Sequence, residues 1–230
     1  MTGVQTCALP ISRGWALGYL GGGLLLVLNL AVVQGHDALG LSTGVAVRIS
    51  LFSAGLWWAV FTVIPFVGLR NRPPTGRIDA DGGRGPVRRS FVQLITTLRE
   101  ARAYPMTLLF LAAYLFYNDG IQTVVSASSI FVSRQLGLSE SVLIAMILIV
   151  QFVAFGGALL FGKVAARLGS LRTVAVSLWV WIAIVAAAFF LPAGRVGPAL
   201  GLGLAIGIVL GGTQALSRSL YSQFVPKGRE

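Results

Sequence analysis

Charge is what this sequence has least of. Only 11% of its 230 residues are charged, against roughly a quarter in soluble domains. Acids are the scarcer sign, with seven Asp plus Glu facing eighteen Lys plus Arg, and there is one histidine and one cysteine. A single cysteine excludes an internal disulfide framework and a Cys-rich metal site. The sequence has no metal-ligand cluster, no His-Glu-x-x-His string, no phosphate-binding loop and no Ser/His/Asp constellation. ATP hydrolysis is therefore not expected, no metal or other cofactor is called for, and the chain reads as a non-enzyme. The net charge of +11 would suit nucleic acid if the basic residues shared one soluble face. They fall instead between apolar runs, so no nucleic-acid partner is expected.

What is abundant is apolar surface: 56% hydrophobic residues and a mean hydropathy of +0.83. Six runs, at about 15–33, 49–69, 106–129, 142–161, 174–191 and 197–216, approach the roughly 20 residues needed to cross about 30 Å of hydrocarbon. Lipid offers no partner to unpaired backbone groups, and no alternating barrel pattern is present, so each run is expected to be a helix. The expected fold class is all-α integral membrane with six transmembrane helices, and the first partner is the lipid bilayer. Pro65, Pro192 and Pro198 lie close to the ends of runs, where a missing donor costs least. If the first run starts in the cytoplasm, 15 of the 18 Lys plus Arg lie inside, and only Arg48, Arg134 and Arg195 lie outside. That bias predicts both ends of the chain on the cytoplasmic side, and the membrane expected is a bacterial cytoplasmic (inner) one.

Two stretches fit no membrane pattern. Residues 1–11, MTGVQTCALPI, lack charge, a basic n-region and a continuous apolar run, so neither a signal nor a transit peptide accounts for them. They match, without mismatch, the translation of a widely used short-read sequencing adapter. The expectation is an artefact over 1–11, a native polypeptide starting near Ser12, and further helices before and after this fragment. Cys7 belongs to that stretch. The second is the basic linker at 70–104, which separates two helices (12–69) from four (105–230). Its first part is rich in Gly, Pro and charge and is expected to be disordered. Its second places Phe91, Leu94 and Leu98 at helical spacing, as an amphipathic helix on the cytoplasmic surface would.

After the fourth run comes GKVAARLGSLRT at 162–173, expected in a short cytoplasmic loop. It resembles the loop signature of the major facilitator superfamily: Gly162, Arg167, Gly169 and Arg172 match, and Ala166 stands where the signature has an acid. Glycines permit a tight turn there, and arginines can meet helix C-terminal carbonyls. The long basic loop two helices before the signature strengthens the resemblance. The strings LFYNDGIQTV at 115–124 and GGTQALSRSLYSQFVPKGRE at 211–230 resemble the branch of fungal autophagy-related vacuolar amino-acid effluxers and their bacterial relatives. The resemblance implies a partial twelve-helix fold, with residues 12–69 ending an N-terminal bundle and 105–230 forming part of a C-terminal bundle, at about helices 5 to 10.

Asp119 is the one acid inside an apolar run. An ionised carboxylate there costs roughly 2.5–3.5 kcal/mol on insertion scales, so it should face a bundle interior or water. Asn118 and Gln122 add polarity near it. The group reads either as a site for a proton or a substrate ammonium, or as a structural carboxylate paired across helices. Gln151 is open in the same way, while Asn29 and Gln214 favour cross-helix bonding and Arg218 a loop anchor or helix C-cap. Gly203, Gly207 and Gly211 repeat every four residues, as do Gly18 and Gly22, which suggests close helix packing. GLGLAIG at 201–207 is no dinucleotide fingerprint, because no strand precedes it. The function that fits is a secondary active transporter of a small polar solute, amino acids among the candidates, with a coupling proton as a partner. The alternative is a non-transporting scaffold or lipid-handling protein. A membrane-embedded enzyme would need a second catalytic-type residue near Asp119, which this sequence does not offer.

Overall fold

The structure, a computed structural model of the chain, describes residues 8–69, 102 and 104–224. The linker at 70–104, with its expected amphipathic helix, lies outside the described residues apart from 102 and 104. Residues 1–7 and 225–230 also lie outside them. Six long helices account for the six apolar runs, all of them long and apolar enough to cross a membrane. They are α1 (Ala8–Gln34), α2 (Thr43–Gly68), α3 (Pro105–Ile130), α4 (Glu140–Leu168), α5 (Ser170–Phe189) and α6 (Val196–Phe224). Among the described residues there is no strand.

Local chemistry sets the helix ends. Ser42 caps α2 by accepting from Val45 N–H, satisfying one of the first-turn donors. Pro105 opens α3 at a position that needs no donor. A π-helical turn, Phe131–Gln135, continues α3, closed by Leu136 N–H to the Phe131 carbonyl. Gly137 and Gly194 take positive φ, +62° and +76°, to turn the chain at the ends of these helices. Gly194 N–H also donates to the Leu136 carbonyl at 2.9 Å, tying the α3–α4 and α5–α6 connections together.

One expected boundary is corrected. Residues 162–173 are not a loop: α4 runs on to Leu168, α5 begins at Ser170, and the connection is the single residue Gly169 with φ +88°. Gly162 and Arg167 therefore lie on α4 and Arg172 on α5. Hydropathy marks the part of a helix inside lipid, and α4 continues beyond it on the basic residues Lys163 and Arg167. Similarly, α6 extends eight residues past its apolar run, to Phe224.

The core is the α4–α6 pair, with α1 packed on both, α5 on α6, and α2 touching mainly α1. Close approach is made by glycine. A side chain at Gly157 would occupy the place of the Ile208 carbonyl, and one at Gly211 that of the Ala154 carbonyl. At Gly207 a Cβ would lie 3.0 Å from the Val150 carbonyl oxygen. The same economy seats α1: Ala16, Ala158 and Ala215, all fully buried, meet where α1, α4 and α6 cross, and Gly162 faces Ser12. Larger side chains fill the remaining space, with Ile121, Trp181, Ile184, Ile206 and Leu210 joining α3, α5 and α6. Outward faces are apolar, with Trp58 and Trp179 79% and 72% exposed, as lipid-facing positions should be.

The two glycine repeats are not equivalent. A Cβ at Gly22 would lie 3.2 Å from the Gln151 amide nitrogen, whereas one at Gly18 would meet nothing within 4 Å. Packing thus accounts for Gly207 and Gly211 but not for Gly18, while a Cβ at Gly203 would make only ordinary contact, 3.4 Å from Met146 Cε. Gly211→Ala is expected to destabilise the protein by about 1–3 kcal/mol through overpacking against backbone. Gly18→Ala should leave stability unchanged or raise it by up to about 1 kcal/mol through helix propensity. Thermal unfolding followed by circular dichroism in detergent checks the pair.

Candidate functional site

Helices α3 and α6 run antiparallel, and a series of hydrogen bonds crosses between them. Thr107 Oγ1 donates to the Phe224 carbonyl (2.9 Å), Tyr117 Oη to Ser217 Oγ (2.7 Å), and Gln214 Nε2 to Asn118 Oδ1 (3.1 Å). From Thr107 to Asn118 the seam climbs about 16 Å along α3 at 1.5 Å per residue. Ser217 in turn donates to the Thr213 carbonyl (2.7 Å), so its hydroxyl is used in both senses.

The seam continues onto α1 through one cation. Arg218 Nη1 donates to Gln214 Oε1 (3.3 Å), and its guanidinium carbon lies 3.9 Å from the centroid of the Trp15 ring, a cation–π distance. Gln214, only 9% exposed, is thereby held from both ends: its NH₂ group serves Asn118 and its carbonyl serves Arg218. Trp15 is itself edge-on to Tyr19, with ring centroids 6.4 Å apart, and its Nε1 is buried without a partner among the described residues.

A cavity of about 250 Å³ opens beside this seam, lined by Phe110, Leu111, Tyr114, Ser217, Arg218 and Tyr221. Aromatic stacking shapes its wall: Phe110 lies 6.2 Å from Tyr114 and 6.5 Å from Tyr221, ring to ring. Arg218 is its single charged lining group. A larger cavity, about 350 Å³, lies between α1 and α2 and is almost wholly apolar. Its polar groups are spent on each other, Ser53 Oγ donating to Asn29 Oδ1 at 2.7 Å. Of the two cavities, the smaller is the one with a charged group in its lining.

Of the residues singled out from sequence, Asn118 is in the seam. Its neighbour Asp119 and Gln122 are exposed on α3 and make no hydrogen bond or ion pair among the described residues. Gln151 is half-buried on α4 against Gly22 of α1, away from Asn118. The structure thus does not gather Asp119, Asn118, Gln122 and Gln151 into one cluster. Arg167 and Arg172 are exposed, and among the described residues neither meets a helix C-terminal carbonyl. Arg218 is corrected from a helix C-cap, because α6 runs six residues beyond it. The signal that could have found it is the Gln214/Arg218 spacing of four, which puts both on one helical face. Among the described residues no three His, Cys, Asp or Glu lie close enough to share a metal ion.

Comparison with known proteins bears on this site. The family described as "Vacuole effluxer Atg22 like" matches residues 10–230. Similar proteins include the MFS-type transporter YxiO of Bacillus subtilis, 29% identical over 221 residues, covering 95% of this chain and 50% of that protein. Autophagy-related protein 22 of Cryptococcus neoformans is 31% identical over 235 residues, 95% of this chain and 42% of its own length. The Yarrowia lipolytica protein of the same name is 28% identical, covering 94% and 40%. The chain spans half or less of the length of these relatives. No solved structure matches it.

A double-mutant cycle tests the seam. Asn118→Ala and Gln214→Ala should couple by about 0.6–1.7 kcal/mol, the range of hydrogen bonds between membrane helices. Asp119→Ala and Gln214→Ala should show no coupling when unfolding is measured the same way.

Proposed function

Because the chain belongs to the vacuole effluxer Atg22-like family, a family of MFS-type transporters, we propose that the protein is a secondary active transporter of a small polar solute, amino acids first among them. The observation that carries the reading is the polar seam from Asn118 through Gln214 to Arg218, bordering a small cavity between helices that are otherwise apolar. Arg218, exposed on α6, lines that cavity with the seam behind it, and recognition of a polar solute is one use for such a group. The sequence holds no phosphate-binding loop, and transport in this reading draws on an ion or solute gradient.

Alternating access provides the mechanism. In such transporters two helical units rock around a site near the membrane midplane. Here α1 rests on α4 and α6 through Ala16, Ala158, Ala215 and the Ser12–Gly162 contact, a smooth seat of small side chains that permits sliding. The basic-residue bias supports placement in a cytoplasmic membrane with both ends of the chain inside. Asp119 and Gln122, on a face of α3 that the other described helices leave open, are the proposed coupling group. A carboxylate on that face needs water or a cation rather than lipid, so it takes a proton or the ammonium of the solute. Gln151, beside α1, lies where the two units would separate.

Reconstitution tests this. In proteoliposomes an intact relative is expected to exchange radiolabelled amino acids, and the substitution equivalent to Asp119→Asn should abolish gradient-driven accumulation while leaving membrane insertion intact. An unchanged accumulation rate in a well-folded Asp119→Asn protein would contradict the coupling role.

A further inference from the structure

We propose that the side of the α1–α4 pair turned away from α6 is a binding site for an anionic phospholipid, whose phosphate is held by Arg13, Lys163 and Arg167. The inference does not draw on the transport reading. The two helices run antiparallel: Ser12 meets Gly162 near one end of their contact, and Gly22, further along α1, faces Gln151, further back on α4. Arg13 and Lys163 each come one residue after the Ser12–Gly162 contact, a step of about 100° around the helix. In antiparallel helices those two steps turn to the same side, so Arg13 and Lys163 flank the α1–α4 junction at one level. Arg167, one helical turn beyond Lys163, extends the basic stripe. Helix α6 occupies the opposite side, where it packs on Phe161 of α4 and Trp15 of α1. Each of those two residues is about 200° of rotation from the neighbouring member of the basic set.

Charge and hydropathy together identify the occupant. Arg13, Lys163 and Arg167 are all exposed. Among the described residues none of them makes an ion pair, the one such contact being His36 with Asp37 beyond the other end of α1. Ala166, three residues from Lys163 and on the same side of α4, brings no charge to offset them. Three cations gathered at the end of membrane-spanning helices, with no acid beside them, suit the phosphate of an anionic headgroup. Toward the middle of the membrane the same side turns apolar. Leu17 and Leu24 follow Arg13 at helical spacing, and Phe152 precedes Lys163 in the same way. All three are exposed. Gly156 shares that side of α4, and a Cβ there would meet nothing within 4 Å, so the surface leaves a shallow trough for an acyl chain. A free phosphate would use the cations and have no use for the leucines. A phospholipid uses both, with its headgroup on the basic stripe and a chain over Leu17, Leu24 and Phe152.

The full chain in a neutral detergent is titrated with dioleoyl phosphatidylglycerol or dioleoyl phosphatidylcholine, and bound lipids are counted by native mass spectrometry. Phosphatidylglycerol should bind at least about ten times more tightly than phosphatidylcholine. Arg167→Gln should weaken phosphatidylglycerol about fivefold, the equivalent of about 1 kcal/mol for one basic residue at an anionic surface. The triple change Arg13→Gln, Lys163→Gln and Arg167→Gln should bring the two lipids to about equal affinity. Ala166→Asp sets a carboxylate among the cations; it should weaken phosphatidylglycerol by a similar factor while leaving phosphatidylcholine unchanged, and with Arg167→Gln it decides the matter should the triple variant fail to fold. Arg134→Gln with Arg195→Gln removes two charges from the other end of the helices and should change neither affinity. Equal affinity for the two lipids in the unaltered protein, or undiminished preference for phosphatidylglycerol in Arg167→Gln and Ala166→Asp, would overturn the inference. An equal loss in the Arg134/Arg195 variant would overturn it in favour of attraction to net charge alone. Displacement of phosphatidylglycerol by glycerol 1-phosphate at the same concentration would overturn it in favour of a site for free phosphate.

Discussion

Polar groups inside hydrocarbon have only one another to bond with, and this constraint orders the chain. It makes every apolar run a helix, since the backbone must satisfy itself. It also sorts the few polar side chains on those helices into pairs: Asn29 with Ser53, Tyr117 with Ser217, Asn118 with Gln214. Several hydroxyls, among them those of Thr62, Ser128, Thr173, Ser177 and Thr213, turn back to a carbonyl of their own helix. Against that background, groups left without a protein partner stand out. Among the described residues, Asp119 and the outer donors of Arg218 are charged groups of α3 and α6 with no hydrogen-bond or ion-pair partner.

The second constraint is that helices in lipid gain no hydrophobic advantage from associating, so they associate where they fit closely. Gly157 and Gly211 let α4 and α6 touch backbone to backbone, and the alanines at the α1 crossing extend that fit. The tight α4–α6 pair is the frame on which α3 is hung by its seam of hydrogen bonds. Arg218 bridges the two arrangements, since it belongs to α6, bonds within the seam and stacks on α1. Through Trp15 and Gln214, Arg218 thus touches both α1 and the seam.

Much of this was legible in the residues. Six helices followed from length and hydropathy, the turn at Gly169 from the glycines of the 162–173 signature, and the packing role of Gly207 and Gly211 from their spacing. The family was legible from strings such as LFYNDGIQTV. Helix ends were not, because hydropathy reports the lipid-embedded portion while α4 and α6 continue on basic and polar residues. Nor was the pairing of Asn118 with Gln214, which are 96 positions apart and meet only once the register of α3 against α6 is known. Asp119 drew attention as the lone acid in an apolar run, yet it is its neighbour Asn118 that joins the seam. One residue is about 100° of helical rotation, enough to send adjacent side chains to different surroundings.

Whether the seam borders a path for solute or merely holds helices together is a question about water. With Cys7 replaced by alanine, single cysteines at 114, 118, 214 and 217 can be challenged with a membrane-impermeant thiol reagent, with the buried apolar positions 121 and 206 as references. A solute path predicts rapid labelling at the seam positions, slowed by added leucine, with the references inert. Labelling at the seam as slow as at 121 and 206, and indifferent to leucine, would contradict a solute path and make the seam a packing device.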